Sequence, residues 1–445
     1  MTTGSAAARA RRVWLWWGLL IAVFVGVRAV DLGGTEAVRL VPDSRAFLVA
    51  AAAPIDSAAL WAGPRAPFAP LVYRLVGGNP QRIAALQGMI AMAAWIVLAI
   101  AAGRASRTAR GATAAVVVVL VLGAAPWVMA WDHVVMAESL TLSLLALWAA
   151  AGIAAVRRPR AIGPLVAVAV VGAALALVRD GSTVVVAPVG LVLVALGLRQ
   201  LRQPFRTGVA RTLTGLVLLL AVSASAASAA HASRWLFPYL NVVAQRVLPD
   251  AGRTDWFTAR GMPMSPALAE RAGGWAHSDN AAFYTDPRLE GFRRWVVTDG
   301  RSTLLAYLAT HPAWTVAAPF GDLADALWPD TSGYVPEGWT APVSPPRPAP
   351  PLRTSLAVLA LAAGIGLAVR VAVSAPHRVS PVPVVAAVAV ALALPQVLAV
   401  WHADALQAVR HLVPSAVMLE LGVLLLITGE VEGTTEVHRP SGRPG

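Results

Sequence analysis

The chain has no cysteine, so disulfides, thiolate-held metals and cysteine nucleophiles are all excluded. It has no lysine either. Its 36 strongly basic side chains are all arginine, a usage that goes with heavy Ala, Gly, Pro and Val content and a GC-rich coding sequence. Charge is scarce: charged residues make up 13% of the chain, against about 25% in average soluble domains. A net charge of +13 would suit nucleic acid, but arginines lying between apolar runs set membrane topology, and no nucleic-acid partner is expected. There is no Gly-rich phosphate loop ending in Lys and no H-E-x-x-H, and Gly181-Ser182-Thr183 lacks a nucleophile elbow.

What is abundant is hydrophobicity, at 57% of residues. The expected fold class is therefore an all-α polytopic membrane protein. About ten spans are expected, near 13–30, 83–103, 112–131, 134–156, 161–178, 181–198, 212–230, 352–370, 380–400 and 412–429. The first follows Arg9, Arg11 and Arg12 like a signal peptide, but no convincing cleavage site follows it, so it reads as a retained anchor.

Alternate short loops are basic. Arg9, Arg11 and Arg12 precede the first span; Arg104, Arg107 and Arg110 follow the second; Arg157, Arg158 and Arg160 follow the fourth. Arg199, Arg202, Arg206 and Arg211 follow the sixth, and Arg370 and Arg378 follow the eighth. A bacterial inner membrane is the expected location, and this pattern predicts both termini to be cytoplasmic. The chain then divides into an N-terminal membrane module (1–230) with a first outer loop (31–82), an extracytoplasmic segment (231–351), C-terminal spans (352–430) and a disordered tail (431–445). Short apolar pieces in the outer loop, Ala46–Ala53, Ala58–Ala62 and Pro67–Val76, suit helices lying in the membrane interface. The outer segment ends in the proline tract Pro342–Pro351.

Polar residues gather at one predicted face: Asp43; Asp132, His133 and Glu138; Arg179 and Asp180; His402, Asp404, Arg410 and His411. Ionisable groups at span ends line a site or merely mark the water boundary; a set holding both acids and bases favours a site. Asp43, stiffened by Pro42, reads equally as a general base or, with Ser44, as a helix N-cap. Arg179 and Arg410 with His411 suit a lipid phosphate, the alternative being snorkelling to the interface. His133 and His411 with Asp43, Asp132 or Glu138 are candidate ligands for a divalent metal ion, though no spacing is diagnostic.

Five short motifs, in order, carry a likeness: Pro42-Asp43-Ser44; Arg65-Ala66-Pro67-Phe68-Ala69-Pro70-Leu71; Met136-Ala137-Glu138-Ser139-Leu140; Val178-Arg179-Asp180; and Arg410-His411-Leu412-Val413-Pro414. Together with Trp256-Phe257 and Gly261-Met262-Pro263, they make the chain resemble the GT-C superfamily of integral-membrane glycosyltransferases, especially bacterial relatives of protein O-mannosyltransferases and aminoarabinose transferases. It departs from that pattern at Phe68, where a hydroxylated aromatic is common, at Asp180, where proline is usual, and at Arg45, where no second acid adjoins the first-loop motif. The resemblance implies a GT-C-type bundle and an inverting transfer from a polyprenyl-phosphate sugar donor to a cell-envelope glycan, lipid or protein. In that role Asp43 would be the base, and Arg65, Arg179, Arg410 and His411 would bind the donor phosphate. Glu138, Asp132 and His133 would position the acceptor or a metal. A transporter or flippase of a lipid-linked saccharide is the competing expectation.

Overall fold

A computed structural model of the chain describes residues 3–33, 38–201, 205–276, 282–342, 349–373 and 380–437. Arg202, Arg378, residues 343–348 of the proline tract and residues 438–445 of the expected tail lie outside these. The described residues are mostly helical, with a single isolated bridge, Arg39 to Val134, and no strand.

The N-terminal half comprises α1 (Thr3–Gly33), the short α2 (Pro42–Ala52), α3 (Ala58–Trp61) and α4 (Phe68–Arg74), then α5 (Pro80–Ala105), α6 (Ala109–Gly123), α7 (Pro126–Met129), α8 (Glu138–Arg157), α9 (Ile162–Val178), α10 (Thr183–Arg199) and α11 (Phe205–His231). Short helices then fill the long connecting segment: α12 (Leu236–Val242), α13 (Ala251–Thr258), α14 (Pro266–Ala269), α15 (Ala282–Thr285), α16 (Glu290–Trp295), α17 (Arg301–Thr310), α18 (Pro312–Ala317) and α19 (Pro319–Ala326). Three long helices close the chain: α20 (Pro350–Val373), α21 (Pro381–Ala403) and α22 (Ala408–Val437).

Among the described residues, eight helices are long and apolar enough to cross a membrane. The region expected as one span at 112–131 is broken: α6 and the run Pro126–His133 meet at 55°, because Pro126 has no N–H to continue the ladder. Counted as one, that pair makes a ninth. α9 has only 17 residues and falls below the length of these eight, among which α10 counts 20 with the preceding turn from Asp180. The long helices carry apolar side chains on their outward faces, such as Leu220, Leu359 and Val373. Such faces would be unfavourable in water and are matched by lipid, which makes this a multi-pass membrane protein.

Small residues set the closest packing. Gly190 and Gly197 on α10 face Gly215 and Gly208 on α11, and a Cβ on Gly215 would lie 2.5 Å from the Gly190 carbonyl oxygen. Only hydrogen side chains permit this approach, which supplies the dispersion contact that holds helices together in lipid. α22 is the most enclosed long helix, with Leu412, Val413, Ala416, Val417 and Leu419 all buried. Pro414 has no N–H to offer the Arg410 carbonyl, which frees the first turns of α22 from the regular ladder.

Candidate functional site

The three short helices between α1 and α5 are where the sequence predicts apolar pieces, and they deliver Asp43 to the bundle end. Pro42 begins α2 and Asp43 follows it. The cap is made by Ser44, whose hydroxyl accepts from the Val41 N–H at 3.0 Å. The Asp43 carboxylate is thereby free of the capping task and points to two arginines: Arg65 Nη2 at 2.6 Å and Arg410 Nη1 at 3.2 Å. Arg39, hydrogen-bonded to the His133 carbonyl at 2.8 Å, ties the loop to the segment leading into α8. Beneath it, the Tyr73 hydroxyl lies within bonding distance of Gln87 Oε1 and the Met136 carbonyl, while Gln87 donates to the carbonyls of Asp132 and Val134. These bonds fix the approach to Glu138, the first residue of α8.

Glu138 sits between two cations. Its Oε1 is 3.6 Å from Arg410 Nε and 3.7 Å from Arg179 Nη1, distances of ion pairing rather than hydrogen bonding. Arg179 closes α9 and also meets His411 Nδ1. His411 Nε2 lies 3.2 Å from Arg410 Nη2 and 3.4 Å from Asp404 Oδ2, so the ring is flanked by both arginines and one acid. Asp43, Arg65, Glu138, Arg179, Arg410 and His411, drawn from five separate stretches of sequence, thus form one cluster.

Asp404 belongs to the same cluster and was singled out in the sequence only as bordering the last turn. The turn explains it: Asp404 accepts from the Leu406 N–H at 2.8 Å, and Gln407 adopts a left-handed φ of 52° that few non-glycine residues take. This folds Asp404 back over the start of α22. No spacing rule in the sequence announces that geometry.

Asp132 and His133 are placed elsewhere. They are buried behind the cluster, Asp132 paired with Arg28 at 2.6 Å and bonded to Ser139, and His133 paired with Asp31 at 2.9 Å. Trp339 donates to the other oxygen of Asp31 at 3.1 Å. Among the described residues, no group of three or more His, Asp and Glu side chains is arranged to hold a metal. The acids in both networks face arginine or histidine instead, a donor set suited to ion pairing. Asp180 is likewise committed, gripping Arg234 through both oxygens at 2.9 Å, while Arg234 also holds the Gly63 carbonyl.

Exposure separates the two acids of the cluster: the Asp43 side chain is 31% exposed and that of Glu138 only 5%. Asp43 is reachable by a ligand and Glu138 is not. Burial raises the Asp43 pKa, but Arg65 and Arg410 outweigh it and hold the carboxyl below the usual carboxylate range. Asp404 goes the other way. Burial, only partly offset by the Leu406 N–H and nearby arginines, pushes it up to about 6.

Beside Arg410 opens a cavity of about 420 Å³, lined by Trp131, Asp325, Tyr334, Arg353 and Gln407 among others. Among the described residues, Arg65 Nε, Arg179 Nη1 and Arg410 Nε are buried without a hydrogen-bond acceptor. Arg179 Nη1 and Arg410 Nε meet Glu138 only at ion-pair distance and Arg65 Nε has no acceptor, so hydrogen-bonding capacity for an anion is left in the cluster. No protein-family model, no curated protein and no solved structure matches the chain.

Proposed function

We propose that this protein is a membrane glycosyltransferase that moves a sugar, with inversion, from a polyprenyl-phosphate donor to a cell-envelope acceptor. In this reading the bundle is of GT-C type with about ten spans, α9 and the bent α6–α7 pair included. Both termini are cytoplasmic and the cluster faces the extracytoplasmic side, as the arginine distribution of the short loops supports. The observation that carries the reading is the convergence of Arg65, Arg179 and Arg410, their hydrogen-bonding capacity not exhausted, beside the accessible carboxylate of Asp43.

The chemistry then follows. The donor phosphate takes the arginines, with His411 helping to orient Arg179. The acceptor hydroxyl gives its proton to Asp43 as its oxygen bonds to the anomeric carbon, and the bond from that carbon to the phosphate oxygen breaks. Polyprenyl phosphate leaves as an anion and needs no proton, so stabilising charge on it is the main catalytic task. Donor binding also tunes the base: a phosphate neutralising Arg65 and Arg410 relaxes their hold on Asp43 and returns its basicity toward the ordinary range. Glu138, enclosed between Arg179 and Arg410, keeps both in place.

The test is incubation of the purified protein with a panel of polyprenyl-phosphate sugars, with water or an added hydroxylated acceptor taking the sugar, reading released carrier. Asp43→Asn should bind donor and release none; transfer retained by that variant removes Asp43 as the base. Movement of the lipid-linked sugar across a vesicle membrane, with no carrier released by the wild type, would establish the transporter reading in its place.

A further inference from the structure

A second cleft, of about 340 Å³, lies in the segment between α11 and α20 and is lined by Asp250, Gly252, Arg253, Tyr307, His311 and Trp314. Its volume is at the lower end of the roughly 300–1,000 Å³ typical of small-molecule sites. The wall is aromatic. Tyr307 stacks on His311 with centroids 4.0 Å apart and meets Trp314 edge-on at 5.4 Å, and Trp256 meets Tyr307 edge-on at 5.0 Å. The rim is polar, with Asp250 and Arg253 paired at 3.0 Å.

The charges say what the cleft does not favour. Arg253 is already paired with Asp250, so an anion would meet a neutralised cation and a carboxylate. Arg253 also lies 5.1 Å from the Trp314 ring centre, so a cationic ligand would meet positive charge at that ring. A lipid chain would strip water from the Asp250–Arg253 pair and offer it no hydrogen bond in return. What remains is an uncharged ligand with one apolar face and a hydroxylated edge. A sugar ring fits: its C–H face packs on the aromatic wall, and its hydroxyls exchange hydrogen bonds with the carboxylate and guanidinium.

Packed side chains connect the wall of the cleft to the last turn before the ion cluster. Trp314 packs on Trp401 and His402 at the end of α21, and His402 contacts the Thr315 carbonyl at 2.8 Å. Two residues beyond His402 is Asp404, which faces His411. We infer that this cleft binds a sugar unit of a glycan; resting on the glycosyltransferase reading, it makes the acceptor a glycan held one or more units away from the growing end.

The full-length protein in detergent should retain oligosaccharides on an array of defined linear glucans, mannans, galactans, arabinans and N-acetylhexosamine oligomers. Asp250→Asn keeps the cap of α13, since Asn caps as well as Asp, and Trp314→Phe keeps a ring against Trp401. Each variant should lower retention at least tenfold and raise the acceptor KM, with carrier release in the absence of acceptor unchanged. An array that retains nothing, or variants that bind and transfer like the wild type, would overturn the inference. Retention on the array with no carrier released from any polyprenyl-phosphate sugar would leave the cleft standing and sink the glycosyltransferase reading instead.

Discussion

Arg410 Nη1 meets Asp43 Oδ2 at 3.2 Å across 367 positions of sequence, while the Nε of the same guanidinium turns to Glu138 at 3.6 Å. One planar fork thus joins an accessible carboxylate to an enclosed one, and no single point charge could hold both directions at once. The relationship makes Arg410 the hub through which α2, α8 and α22 meet.

Arg410→Lys should therefore be far from conservative. It keeps the charge but loses the fork, and carrier release should fall by roughly 100-fold, the scale seen when one transition-state donor is removed. Arg410→Ala should fall further and also destabilise the fold by about 3–5 kcal/mol, because Glu138 is left buried beside one cation fewer. Steady-state rates on donor at saturating acceptor, with thermal unfolding in detergent alongside, separate the two effects. Full activity in Arg410→Lys would mean that the fork plays no part in holding phosphate.

The pH profile distinguishes the acids. Asp43 is held below the usual carboxylate range, so it stays ionised and contributes no activity limb above about pH 4. Asp404 is pushed up to about 6 from an ordinary 3.8. If the ionised Asp404 carboxylate is needed beside His411 and Arg410, kcat/KM should fall tenfold per pH unit below about 6 and level off above it. Asp404→Asn should abolish that limb. A limb near 6 that survives in Asp404→Asn would remove Asp404 from the mechanism. Stability runs in the opposite direction: the folded protein favours protonated Asp404. This contribution is complete below about pH 4 and is lost as pH rises through about 6, on the order of 3 kcal/mol in all.

How much of this was legible in the sequence differs by element. The apolar runs of α5, α8 and α21 were plain, because lipid demands length and hydrophobicity that nothing else in a sequence imitates. Pro126 was visible, yet the 55° break it makes was not anticipated, since proline inside a span can be absorbed or can break it according to what packs around it. Asp43, Glu138, Arg179 and Arg410 were found by their positions at span ends and by short motifs. Asp132 and His133, at a similar position, went to a different network because Arg28 and Asp31 reach them from within α1. A long-range pairing of that kind leaves no local pattern. The role of Asp404 was hidden for a related reason: the left-handed turn at Gln407, which aims it, is a property of backbone rather than of residue type.

The small-residue seam between α10 and α11 gives a prediction independent of chemistry. Gly215→Val would place its Cβ 2.5 Å from the Gly190 carbonyl and 2.7 Å from a Val194 methyl, so the helices must separate. Yield of folded, detergent-stable protein should drop sharply, whereas Gly291→Ala, with nothing within 4 Å of the added carbon, should be neutral. Equal thermal stability of the two variants would show that the α10–α11 packing contributes little to the bundle.

The buried pair Arg28–Asp132 supplies the last test, because it separates a structural network from a catalytic one. Both side chains are almost wholly excluded from solvent and lie 2.6 Å apart. Asp132→Ala should leave Arg28 uncompensated and cost about 3–5 kcal/mol of stability, read as a lowered unfolding temperature in detergent. Replacing both members, Arg28→Met with Asp132→Leu, should recover a large part of that loss, since two apolar side chains leave no buried charge to satisfy. Activity per folded molecule should stay within about threefold of wild type in the double variant, a difference worth less than 1 kcal/mol. If the double variant were as stable as wild type yet released no carrier, Asp132 would belong to the catalytic machinery and the division between the two networks would be wrong.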